Sequence, residues 1–162
     1  MAQTAITEEL LKLSVEIEKN GREFYSQIAR RARDGDVKDK FSYLADQEHL
    51  HEKTFSDMLK RVSAQTSPPK GFSKEDYQFI KDVAASSIFT GERALDALNR
   101  KTMTDIEAVE LGLGFEKDSI LFYSDMRGML PRDDQPLIDM ITHEEKKHLS
   151  ELHLMKMRAL KG

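Results

Sequence analysis

Apolar residues recur at alternating three- and four-residue steps along four long stretches of this chain, the period of a helix that buries one face. They predict helices over about 7–33, 37–62, 104–128 and 134–160. In the second stretch the seam reads Phe41, Leu44, Phe55, Met58 and Val62, and its two missing steps are filled by Glu48 and His51. In the fourth it reads Ile138, Ile141, Leu152, Met155 and Ala159, with Glu145 and His148 in the gap. Both pairs have the form Glu-x-x-His and sit where the core should be. A core rejects a carboxylate and an imidazole unless something compensates their charge.

Punctuation supports these boundaries. Thr7, followed by Glu8 and Glu9, is expected to cap the first helix, and Asp34-Gly35-Asp36 to break it. Ser67-Pro68-Pro69-Lys70-Gly71 closes the second. Thr104 with Glu107 three residues later forms a capping-box pattern for the third, which should end near Gly128. Asp134 is the expected cap of the fourth, with Pro136 tolerated in its first turn. Short connections make the first and second helices one antiparallel hairpin and the third and fourth another. The segment of about 64–103 crosses the length of the bundle, with one short helix expected from Ser73 to Ser86 and a second piece around Glu92–Asn99. The prediction is an all-α fold of 162 residues in a single domain.

A repeat underlies it. Glu18-Lys-Asn-Gly-Arg-Glu-Phe-Tyr25 and Glu116-Lys-Asp-Ser-Ile-Leu-Phe-Tyr123 both read Glu-Lys-x-x-x-x-Phe-Tyr, and Glu116 follows Glu18 by 98 residues. Glu145 follows Glu48 by 97. The two halves read as copies of one hairpin. At 1.5 Å per residue, Glu18 and the Glu48/His51 pair lie roughly 24 and 22 Å from their shared turn, and Glu116 and Glu145/His148 roughly 21 and 24 Å from theirs. All six groups meet at one level of the bundle.

Composition narrows the chemistry. A net charge of −4 offers no surface for nucleic acid, and no apolar run reaches membrane-spanning length. The first residues lack a basic start and an apolar signal core, so a cytoplasmic location is expected. With no cysteine in the sequence, disulfides, thiolate metal sites and cysteine nucleophiles within it are excluded. Four carboxylates in one core layer carry about four negative charges that water does not screen there, and two divalent cations would neutralise them. Donors rich in oxygen with two imidazoles favour iron or manganese, with zinc a further possibility.

One Glu from each of two helices and Glu-x-x-His from each of the others resembles the ligand set of di-iron and di-manganese carboxylate bundles. More closely, the pattern of Glu18 with Tyr25, Glu48-x-x-His51, Glu116 with Tyr123 and Glu145-x-x-His148 resembles the rubrerythrin branch of the ferritin-like superfamily. The resemblance covers most of the chain except the middle segment. It implies a ferritin-like four-helix bundle of two duplicated hairpins, holding two iron ions on Glu18, Glu48, His51, Glu116, Glu145 and His148. Glu48 and Glu145 would be terminal ligands beside their histidines, and Glu18 and Glu116 would bridge or flank the metals. It also gives Tyr25 and Tyr123 the task of hydrogen-bonding ligand carboxylates; on the residues alone they read equally well as core aromatics.

The resemblance further implies reaction with peroxide or dioxygen, and a homodimer. Two departures matter. The cysteine-ligated rubredoxin-type iron domain of full-length rubrerythrins has no counterpart here, so a separate electron-donor protein is expected. Ser119 also stands where those proteins carry an extra glutamate, one turn after the third-helix ligand. Peroxide reduction, iron oxidation or storage, oxygenation of an organic substrate, and a purely structural bundle therefore all remain open. His49, His143 and His153 fall off the seam and read as solvated or as outer neighbours of the ligands, and Glu144 is expected to face outward. Gly112 and Gly114 weaken the third helix, and either permit close packing or have no packing role.

Overall fold

The computed structural model describes residues 2–63, 75, 78, 82 and 103–160. Four long helices account for nearly all of them: α1 (Ala2–Arg31), α2 (Gly35–Ser63), α3 (Asp105–Met126) and α4 (Gln135–Ala159), with a 3₁₀ turn at Arg127–Met129. The expected short helices fall in 64–102, outside the described residues, save that Glu75, Gln78 and Asp82 are helical. No strand occurs among the described residues, and none of their helices is long and apolar enough to cross a membrane.

Local chemistry sets the ends. The Asp34 carboxylate accepts the Val37 N–H at 3.0 Å and starts α2. Thr104 and Glu107 complete the expected capping box, with the Thr104 N–H donating to Glu107 at 2.7 Å and the Glu107 N–H to the Thr104 hydroxyl at 3.3 Å. Two expected caps differ. Helix α1 starts five residues before Thr7, whose buried hydroxyl donates instead to the Met129 carbonyl at 3.1 Å. Asp134 holds the cap position of α4 without a side-chain cap bond, because its carboxylate takes Arg61 at 2.7 Å.

Contacts between the ends fix the topology. The Asp105 carboxylate accepts the N–H groups of Arg33 and Asp34, bringing the start of α3 to the α1–α2 turn. Thr7–Met129 brings the start of α1 to the end of α3. Arg61–Asp134 joins the end of α2 to the start of α4, and Lys40–Glu151, at 2.8 Å, joins the start of α2 to the end of α4. Neighbouring helices are thus antiparallel, and α2 runs parallel to α3 across the diagonal. Ser63 and Thr104 lie at opposite ends of the bundle. The core is continuous along its axis, from Leu10, Leu11 and Met126 to Phe41 and Leu152.

Candidate metal centre

Every step of the α2 seam is buried, from Phe41 through Glu48 and His51 to Val62. On α4 the seam holds from Ile138 to Leu152 and then opens, with Met155 half-buried and Ala159 exposed. Glu18, Glu48, His51, Glu116, Glu145 and His148 meet in the middle, each only 1–3% exposed. The six residues singled out in the sequence are brought together.

They form two overlapping groups whose donor atoms lie within 4.8 Å of one another. One contains Glu18, Glu48, His51 and Glu145; the other contains Glu48, Glu116, Glu145 and His148. The resemblance makes Glu48 and Glu145 terminal and has Glu18 and Glu116 bridge or flank; here the carboxylates common to both groups are Glu48 and Glu145, and Glu18 and Glu116 each stand in one. Glu48 and Glu145 come from the neighbouring helices α2 and α4, and Glu18 and Glu116 from the neighbouring helices α1 and α3.

Each outer carboxylate is held by the other hairpin. The Tyr25 hydroxyl of α1 donates to Glu116 Oε1 of α3 at 2.7 Å, and the Tyr123 hydroxyl of α3 donates to Glu18 Oε1 of α1. Burial, then the charge of Glu116, pushes the Tyr25 phenol well above its ordinary range; burial, then Glu18, does the same to Tyr123. Both phenols therefore keep their protons. Aromatic rings seal the layer on either side, with Phe24, Phe41 and Phe115 around Tyr25, and Phe55 and Phe122 around Tyr123.

The electrostatics are those of an overfilled acidic pocket. Burial, then repulsion from Glu18, raises Glu48 well above the carboxylate range; burial, then Glu145, raises Glu116. Burial acts to raise Glu145 too, but His148 and His51 outweigh it and hold that carboxyl low. Burial acts to lower His51, but the surrounding Glu145, Glu18 and Glu48 outweigh it and raise the imidazole.

Two buried atoms point to what is being held. His51 Nδ1 and Glu145 Oε1 lie 3.0 Å apart, and neither has a hydrogen-bond partner. Buried polar atoms are rarely left this way, and an ion between such groups would satisfy them. His51 Nδ1 is also within 3.7 Å of Glu18 and 3.6 Å of Glu48. His148 Nδ1 lies 3.1 Å from Glu145 and 3.9 Å from Glu116. The donor set therefore fits a pair of cations, with Nδ1 of both rings turned inward.

Glu144 is partly exposed and also has a partner that periodicity does not reveal, since the contact crosses between helices. His51 Nε2–H donates to its Oε2 at 2.8 Å. His49, His143 and His153 are exposed, as expected, and His49 takes a hydrogen bond from Arg22 at 2.9 Å.

Fold and site together define a ferritin-like helical bundle with a buried carboxylate–histidine cluster. The family model described as Rubrerythrin matches residues 9–156, and the chain belongs to that family. Among solved structures it is similar to a protein of Thermotoga maritima described as a ferritin-like diiron-carboxylate protein, with a TM-score of 0.68 and 26% identity over 94% of this chain and 95% of that one. No curated protein matches it.

Proposed function

We propose that this chain is a di-iron carboxylate protein that reduces hydrogen peroxide with electrons from a separate donor protein. The observation that carries the reading is the pair of overlapping four-residue groups, with Nδ1 of His51 and Oε1 of Glu145 unpartnered between them. Membership of the rubrerythrin family and the printed description of the Thermotoga protein support iron as the metal.

In this reading Glu18, Glu48, His51 and Glu145 would hold one ion and Glu48, Glu116, Glu145 and His148 the other, with Glu48 and Glu145 common to both groups. Two ferrous ions held there would supply the two electrons that, with two protons, convert hydrogen peroxide to two waters. The chain's own residues prepare the place for that reaction. Four carboxylates offset the metal charge without drawing in counter-ions, and the aromatic walls exclude bulk water. Tyr25 and Tyr123 fix the orientation of Glu116 and Glu18 while keeping their own protons. No cysteine occurs among the 162 residues, so a rubredoxin-type relay would lie outside them. A cytoplasmic homodimer remains part of this reading.

A second reading, oxidation and storage of iron, is favoured by Ser119. This small buried residue stands one turn after Glu116, where the family resemblance leads one to expect a further glutamate.

The test begins with elemental analysis after anaerobic ferrous loading. About two irons per chain are expected, lost in the Glu48→Ala, His148→Ala double variant. The loaded protein should turn over peroxide with an added reductant faster than it consumes dioxygen. More than two irons per chain would favour the second reading, and failure to take up metal would end both.

A further inference from the structure

The two halves match at the six cluster residues but differ immediately beside them. Glu144 precedes Glu145, and the residue that precedes Glu48 is Gln47. Glu144 accepts the Nε2–H of His51 at 2.8 Å, with its side chain 38% exposed. Among the described residues His148 has no equivalent: the carboxylates within 4.0 Å of it are Glu116 and Glu145, both inside the cluster. On its flank the Tyr43 ring stands edge-on, with centroids 5.8 Å apart.

A carboxylate behind an imidazole does two things. It fixes the ring proton on the outer nitrogen, which leaves the lone pair of the inner one aimed at the metal, and it makes that nitrogen more basic. A carboxamide carries no charge and provides the second effect far more weakly. We infer that the two metal positions are inequivalent, and that Glu144 is a positioning residue which makes the His51 side bind its cation more tightly than the His148 side. The inference rests on the two-metal reading above. It adds an order of loading: the His51 side fills first and empties last.

Anaerobic calorimetric titration with ferrous iron tests it. Wild-type protein should show two events of different affinity. Glu144→Gln should weaken the tighter one by about 10- to 100-fold and leave the weaker unchanged. The substitution keeps the shape of a partly exposed side chain, so circular dichroism should be unaltered. In a His148→Ala background the remaining event should keep its sensitivity to Glu144→Gln, and in a His51→Ala background that sensitivity should disappear. Gln47→Glu should tighten the weaker event. If wild-type protein takes two irons but Glu144→Gln alters neither event, or weakens both alike as a diffuse charge effect would, the inequivalence is wrong and the two-metal reading stands. If wild-type protein takes none, both fall.

Discussion

Without metal, the cluster must hold protons in place of cations. Glu48 and Glu116 are raised by burial and by neighbouring carboxylates, so the folded chain binds protons there that the unfolded chain has already released. Such groups favour folding at low pH, and their contribution is lost as pH rises above the ordinary carboxylate value of 4.5. His51 acts in the same direction above its ordinary 6.5, since the folded ring retains a proton the unfolded one gives up. Glu145, held low, stabilises the fold above its ordinary 4.5, and that gain is already complete at mildly acid pH. The metal-free protein should therefore melt at progressively lower temperature between about pH 5 and about pH 8. With metal bound the trend should flatten or reverse, because ligation needs the deprotonated forms. Thermal melts with and without chelator would show this; a metal-free melting temperature that rises over that range would contradict it.

At the level of the helices, the glycine at 112 has a definite purpose. A Cβ there would meet Leu152 Cδ1 at 3.1 Å, the Tyr25 ring at 3.6 Å and the Phe41 ring at 3.7 Å. Its missing side chain is what lets α3 lie against residues from three other helices just beyond the metal layer. Gly112→Ala should be near neutral, because the gain in helix propensity, about 1 kcal/mol, offsets a small displacement of the Leu152 methyl. Gly112→Val should destabilise by about 1–3 kcal/mol through overpacking, measured by denaturant unfolding.

Most of the helix scale was legible in the sequence because period and capping are local. The α2 seam reads off directly, and Thr104–Glu107 caps α3 as its spacing says. Errors arose where a distant partner captured a local signal. Thr7 went to Met129 and Asp134 to Arg61, leaving two expected caps unmade. The same holds in the site. Which six residues converge follows from distance to the turns, but which carboxylates are common to both groups is not given by spacing along the chain. The Glu144–His51 bond is not given by it either.

For the whole molecule, the cluster lies where the two hairpins dock, and neither hairpin contains all of it. Glu18, Glu48 and His51 come from one; Glu116, Glu145 and His148 come from the other. The two tyrosine–carboxylate bonds cross the same junction in opposite directions. Tyr25→Phe and Tyr123→Phe should each lower the stability of the loaded protein by about 1.5–3 kcal/mol, the range for a hydrogen bond to a charged group. Denaturant unfolding would measure it, and a loss confined to one of the two would show that the junction is stabilised unevenly.

The crossed tyrosines also constrain how two like hairpins can differ. They are free to do so wherever each faces only solvent or itself. At this junction Tyr25 answers to Glu116 and Tyr123 to Glu18. A change on one side leaves the partner on the other without its bond. One step outward the obligation lapses: Gln47 and Glu144 differ, and through that pair two like halves can take on different duties.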